Sequence, residues 1–372
     1  MRKIYCLGLH KTGSTSLQRF LLANQVVLAQ RGLLFPPVTP QAISRFVAEL
    51  LPAGQKRAMR LNEYMGHNAL AYRMISERLK SFDFPTGHLP AFSSAHALFL
   101  ARDMAEQMAA ETVVFCSEDL ARASLMVPEV PSIFAETFGT EAVTILAIVR
   151  RPDEALAAWQ TQKLRFGAPF EPLWKTGIAP YLGTVHLEYR PALEPWRKAF
   201  PEADFVMVPY DEVKATGGTV ARFCALAGLE QDGLAGLSER SNPSLPNAVF
   251  EIARLALAQL PLPSATALRG FLGRWAQTQE LPANQDVDML GAQARSALLR
   301  SFEDTHHWLS QTSGRLPFFP SLAQMGAAAD LSAQEAAVRA LPGLRASADA
   351  GLNDPRARRF LQKLSEADLR MG

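Results

Sequence analysis

Lys11 is the first residue whose surroundings suggest chemistry. It lies in the run His10-Lys11-Thr12-Gly13-Ser14-Thr15-Ser16, directly after the apolar stretch Ile4-Tyr5-Cys6-Leu7-Gly8-Leu9. Backbone N–H groups at a glycine turn and at the first turn of a helix attract phosphate-like anions. A cation fixed beside them can meet negative charge as it develops on a leaving group. The elements that would hold such a loop are legible. The apolar stretch reads as a strand, and Leu17, Phe20, Leu21 and Leu28 recur at helical spacing. The pattern predicts a helix starting near Thr15 and running through Gln30-Arg31-Gly32, with Gly32 as its C-terminal cap. A plainer reading stays open, in which a Gly/Ser turn precedes an ordinary helix capped by Ser14 or Thr15.

Further polar groups follow three later apolar runs. Thr112–Cys116 is a continuous apolar run of the kind buried in parallel sheets, and Ser117-Glu118-Asp119 follow it at once. Ligands of open α/β sheets collect at the carboxyl ends of strands, so Glu118 is a candidate site carboxylate. Its alternative is support of a helix cap made by Ser117 or Asp119. The run Ala142–Val149 ends in Arg150-Arg151-Pro152-Asp153-Glu154, where Pro152 suits a helix start and the arginine forks match phosphate oxygens. Asp204–Val208 leads into Pro209-Tyr210-Asp211-Glu212, in which Tyr210 is either a half-buried packing residue or a platform for a purine. Glu239-Arg240-Ser241-Asn242-Pro243-Ser244-Leu245 is a polar loop ahead of an Ala- and Leu-rich helix.

The run Leu9–Gln18 resembles the 5′-phosphosulfate loop of the sulfotransferases that use 3′-phosphoadenosine 5′-phosphosulfate (PAPS). It is also similar to a nucleotide triphosphatase P-loop in having Gly8, four residues, then Gly13, but the lysine has moved to Lys11 and Ser14 stands after the glycine. The resemblance implies that Lys11 neutralises the departing bridging oxygen while Thr12, Gly13, Ser14, Thr15 and Ser16 cradle the phosphosulfate. It implies that Glu118 is the catalytic base, in the place where other branches carry histidine. It further implies that Arg150 reads the 3′-phosphate, that Tyr210 lies against the adenine, and that Arg240, Ser241, Asn242 and Ser244 are the candidates for closing over the 3′-phosphate, with Arg151 or a later loop left to compensate for one departure from the family pattern. The family also places a serine eight residues after the arginine. Here that residue is Ala158, which removes one hydroxyl ligand.

The whole chain narrows the class. Its 372 residues are 48% hydrophobic and 20% charged with a formal net charge of +2, as in an ordinary globular protein with ample core. Nothing in that balance points to nucleic acid, so an anion site must be local. Cys6, Cys116 and Cys224 have no metal-ligand spacing and read as buried thiols in a reducing, cytoplasmic compartment. His306-His307 are adjacent and so point to different helix faces, unlike a metal pair. No signal peptide or membrane-spanning run is apparent.

The fold expected is α/β, a P-loop-type parallel sheet flanked by helices on both faces, with a helical insertion after the first βα unit at about residues 38–110. The sulfotransferase-like domain is expected to cover 1–320, with helix over 285–312. Residues 321–372 are expected to form a helical extension lying on the domain or on a second copy of the chain. The resemblance implies a metal-independent sulfotransferase with PAPS as co-substrate and a carbohydrate or small-molecule hydroxyl or amine as acceptor. Two alternatives remain, a P-loop kinase using ATP and Mg²⁺, and a non-catalytic nucleotide-binding relative.

Overall fold

The protein is described by a computed structural model in which residues 1–51, 58–83, 92–236 and 245–371 are placed. The chain runs β1 (Arg2–Gly8), α1 (Ser14–Ala23), α2 (Gln25–Gln30), β2 (Leu33–Leu34), α3 (Pro40–Leu50), α4 (Leu61–Tyr64), α5 (Gly66–Ser76) and α6 (Ser94–Gln107). Next come β3 (Thr112–Cys116), α7 (Asp119–Met126), α8 (Val130–Phe138), β4 (Val143–Val149), α9 (Pro152–Lys163), α10 (Leu173–Thr176), α11 (Tyr189–Ala199), β5 (Asp204–Pro209), α12 (Tyr210–Ala215) and α13 (Gly218–Ala227). The rest is helical, α14 (Phe250–Gln259) to α20 (Glu366–Met371), apart from two short paired strands, Val287–Asp288 and Leu331–Ser332.

The five main strands form one all-parallel sheet in the order β2-β3-β1-β4-β5, so β1 is central and the chain crosses it between β3 and β4. The register aligns the strand ends. Cys6 lies opposite Cys116, Gly8 opposite Ile148 and Val149 opposite Pro209. The residues that follow the strands therefore emerge side by side at the carboxyl edge.

Alternation along β1 explains why both faces are covered, since successive side chains of a strand point to opposite sides. Ile4 and Cys6 join Val114, Cys116, Leu146 and Ile148 beneath Leu17, Phe20 and Leu21 of α1 and Val220, Phe223 and Cys224 of α13. Tyr5 points the other way, with ring centroids 5.4 Å from Phe134, 5.3 Å from Trp196 and 5.2 Å from Phe200. Each fully buried large side chain of this kind contributes roughly 1.5–3 kcal/mol. All three cysteines are buried free thiols.

Two helices depart from the periodicity reading, each for a local polar reason. The helix expected to run to Gly32 breaks at Asn24, whose amide donates to Phe20 O at 2.8 Å and to Ala235 O at 3.0 Å while accepting from Ala235 N at 2.8 Å. The helix expected over 285–312 starts at Ala292. Val287 and Asp288 pair as strand instead, and the Asp288 carboxylate holds Leu290 N and Gly291 N ahead of the helix.

The chain forms two compact units. One comprises Met1–Arg150, Gly183–Ser241 and Asp304–Phe319 and contains the sheet; the other comprises Arg151–Leu182, Asn242–Glu303 and Pro320–Gly372. The second unit is thus assembled from three stretches, the last of which includes the segment after residue 320. Among the described residues, no helix is long and apolar enough to cross a membrane.

Candidate functional site

The loop between β1 and α1 is shaped by two left-handed residues, Lys11 at φ 68° and Gly13 at φ 86°. Gly13 tolerates that conformation, and a Cβ there would collide with the Thr219 hydroxyl. Lys11 does not tolerate it without cost, about 1–2 kcal/mol for an L-residue, so neighbouring contacts must hold it. They are present on both sides. Thr12 Oγ1 donates to Leu9 O at 2.6 Å, Thr219 Oγ1 donates to Thr12 O at 2.7 Å, and Arg150 Nη1 donates to Lys11 O at 3.4 Å. The Thr12 hydroxyl is therefore engaged in building the loop. Gly13 occupies the cap position of α1 and no side chain caps that helix, so neither Ser14 nor Thr15 plays the capping part. Thr15 and Ser16 lie half-buried in its first turn.

Glu118 follows β3 and starts α7, but its carboxylate does not cap that helix. Ser117 Oγ accepts from Asp119 N at 3.0 Å in its place. Glu118 Oε2 instead accepts from Ser14 Oγ at 2.8 Å, which brings the strand-end carboxylate onto the β1–α1 loop. Its other oxygen is 3.8 Å from Nδ1 of His10, a buried ring stacked on His186 at 4.5 Å. Arg122, one helical turn beyond Glu118, reaches His10 Nε2 at 2.9 Å and Asp119 Oδ1 at 3.4 Å. Burial first, then the positive charges of Arg122 and Lys11, bring the His10 pKa down to about 4 against a raising pull from Asp119, so the ring is neutral at pH 7. Burial pushes the Asp119 carboxyl up, opposed by Arg122. Asp119 also accepts from Asn68 Nδ2 at 2.6 Å, and Gln18 Nε2 donates onward to Asn68 Oδ1 at 2.5 Å, tying α7 to α5 and α1.

At the β4–β5 edge the aligned register puts Arg150 beside Tyr210, with the guanidinium 5.1 Å from the centroid of the tyrosine ring. Tyr189 donates its hydroxyl to Arg150 O at 3.1 Å. Arg315 holds Glu212 of α12 by two hydrogen bonds, at 2.6 and 3.2 Å, two residues on from Tyr210. Lys11, Arg150 and Tyr210 are thus brought together around the loop, with Glu118 on its β3 side.

Other expected site residues have different settings. Arg151 belongs to the second unit, where its guanidinium makes two bonds to Asp153, at 2.7 and 3.0 Å, and others to Glu154 and Ser321. Ala158, in α9, is half-buried. Arg240, Ser241, Asn242 and Ser244 lie outside the described residues. Among the described residues no cluster of histidine, cysteine, aspartate or glutamate is arranged to hold a metal ion.

Sequence reasoning passed over Arg122, His186 and Thr219, and it gave Asp119 only a capping part. Arg122 carried a usable signal, since a residue four positions after Glu118 shares its helix face. His186 and Thr219 carried none, because they reach the loop only through the packing of distant segments. No family model matches the chain, and no curated protein or solved structure is significantly similar to it.

Proposed function

We propose that the protein is a PAPS-dependent sulfotransferase acting on a hydroxyl or amine of a carbohydrate or small molecule. The observation that carries this reading is the convergence of Lys11, Arg150 and Tyr210, three residues whose resemblance-based roles concern three parts of one nucleotide. The fit is chemical as well as spatial. A loop turned by Gly13, an uncapped helix start and two cations suit a dianionic 5′ group and a 3′-phosphate.

When bound, the donor supplies an activated sulfuryl group. Glu118 accepts the proton of the acceptor as its oxygen or nitrogen bonds to sulfur. Lys11 stabilises the charge that builds on the bridging oxygen as the sulfur–oxygen bond to the phosphate breaks. Arg150 holds the 3′-phosphate, and Tyr210 offers its ring to the adenine. Glu118 suits the base role better than His10. Arginine can only donate, so His10 Nε2 accepts from Arg122 and the proton of the neutral ring sits on Nδ1, leaving no lone pair for an acceptor proton.

A P-loop kinase is the second reading, favoured by the Ser14–Glu118 bond, because a loop hydroxyl beside a strand-end carboxylate could hold Mg²⁺. Ser14 stands where such a kinase carries lysine, which weighs against it. Calorimetric titration with adenosine 3′,5′-bisphosphate, and separately with ATP plus Mg²⁺, distinguishes the two. The sulfotransferase reading requires tight, metal-independent binding of the bisphosphate, and preference for ATP with a Mg²⁺ requirement would overturn it.

A further inference from the structure

Behind Glu118 lies a chain of polar groups to which the sulfuryl-transfer scheme gives no part. His10 is 6% exposed and Asp119 is 1% exposed, which is unusual for ionisable residues on a loop and at a helix start. Burying them is costly unless each bond is satisfied, so the arrangement constrains which bonds exist. Arg122 has donors only and points Nη2 at His10 Nε2, 2.9 Å away. A neutral imidazole that accepts at Nε2 must carry its proton on Nδ1. That nitrogen faces Glu118 Oε1 at 3.8 Å, too long for a hydrogen bond but a distance from which catalytic contacts tighten when ligands bind. Ser14 holds the other carboxylate oxygen. Asp119 anchors Arg122, Asn68 anchors Asp119, and Gln18 in turn anchors Asn68. Among the described residues, the charged and titratable groups facing His10 include Lys11, Glu118, Asp119, Arg122 and the stacked His186.

We propose that Arg122 and His10 are positioning residues for Glu118. Arg122 locks His10 in the Nδ1–H form, and that N–H together with the Ser14 hydroxyl fixes the carboxylate in one orientation beside the loop. The catalytic importance of this device rests on Glu118 being the base, as proposed above; the locked tautomer does not. Neither residue touches the transferring group. Their loss should impair turnover without impairing donor binding.

The test begins with the ring itself. Long-range proton–nitrogen correlation spectra of ¹⁵N-histidine-labelled protein at pH 7.5, with His10 assigned from the His10→Asn variant, should show a protonated Nδ1 and a bare Nε2. Arg122→Met should shift His10 toward the Nε2–H form. An Nε2–H ring in the unmodified protein, or a tautomer indifferent to Arg122→Met, overturns the proposal.

The second arm measures sulfate released from radiolabelled PAPS, where water attacks sulfur and 3′,5′-bisphosphate leaves, alongside bisphosphate affinity. His10→Phe should lower kcat about ten- to a hundredfold with Kd for the bisphosphate unchanged. His10→Asn, whose amide N–H stands near the Nδ1 position, should recover most of that loss. Equal loss in both His10 variants, or no loss in either, overturns the positioning role, and this pair decides it even if Arg122→Met does not fold. Failure of the unmodified protein to bind the bisphosphate would instead remove the donor reading, leaving the tautomer result to stand or fall by itself.

Discussion

Arg150 and Arg151 are neighbours in the chain with opposite settings. Arg150 belongs to the sheet-containing unit, donates to the Lys11 carbonyl and lies over the Tyr210 ring. Arg151 belongs to the second unit and is fixed in a buried ion network with Asp153, to which Arg295 also bonds at 3.3 Å. Arg295 in turn bonds Asp288 at 2.8 Å. Asp153 is 4% exposed, and its charge is met by two guanidinium groups within its own unit. The residue type is the same on both sides, and the surroundings give each side chain different partners. The Arg151 fork is filled by a buried carboxylate and is structural, whereas Arg150 lies against a carbonyl and a ring at a strand end, the setting on which its proposed part in meeting an anion rests.

The sharpest break of this contrast is Asp153→Ala. It leaves Arg151 and Arg295 buried without their shared carboxylate, which should lower stability by about 3–5 kcal/mol in denaturant unfolding. Any bisphosphate affinity of the folded fraction should be unchanged. A loss below about 1 kcal/mol would mean that the network contributes little.

Acid probes the sheet-containing unit without mutation. His10 and His67 are both buried, and desolvation lowers each pKa to about 4 from the ordinary imidazole value of 6.5. Between those values the unfolded chain binds protons that the folded chain does not, so stability falls as pH drops from about 6.5 to 4 and is fully present above 6.5. Each ring contributes on the order of 3 kcal/mol to that loss. His67→Gln should flatten the pH dependence of the unfolding midpoint, and an unchanged slope would contradict the burial argument.

Arg150→Ala should weaken the 3′,5′-bisphosphate by about ten- to a hundredfold, an effect of about 1.5–3 kcal/mol, with a much smaller loss for adenosine 5′-phosphosulfate, which has no 3′-phosphate. Unlike Asp153→Ala, it should leave the unfolding midpoint almost unmoved. Equal weakening of both ligands would place Arg150 away from the 3′ group.

Thr219→Val should have the smallest effect. It removes the 2.7 Å bond to Thr12 O and leaves a buried carbonyl unpaired, for about 1–3 kcal/mol of stability, and slackens the loop that holds Lys11. Bisphosphate affinity should fall a few-fold. Unaltered affinity would show that the loop keeps its shape without that clamp.

Four of the sheet strands were legible almost to the residue, because a strand buried on both faces must be a continuous apolar run bounded by polar turns, as at Thr112–Cys116 and Val143–Val149. The loop, Glu118, Arg150 and Tyr210 were legible for a related reason, since the carboxyl ends of such strands are the places where polar groups gather. Helix limits at Asn24 and Ala292 were not, because side-chain bonds to residues far away or outside the helical period set them.

What the sequence determined by itself is therefore local and periodic, namely the strands, the glycine turn, the cation at Lys11 and the residue type at each strand end. The tertiary structure decided the rest. It chose which of two adjacent arginines lies over Tyr210, tied Glu118 to Ser14 across 104 positions of chain, and buried His10 against Arg122 and His186. The physical reason is that a charge takes its role from the partners and the solvent around it, and in a parallel sheet those partners come from segments that the sequence keeps far apart.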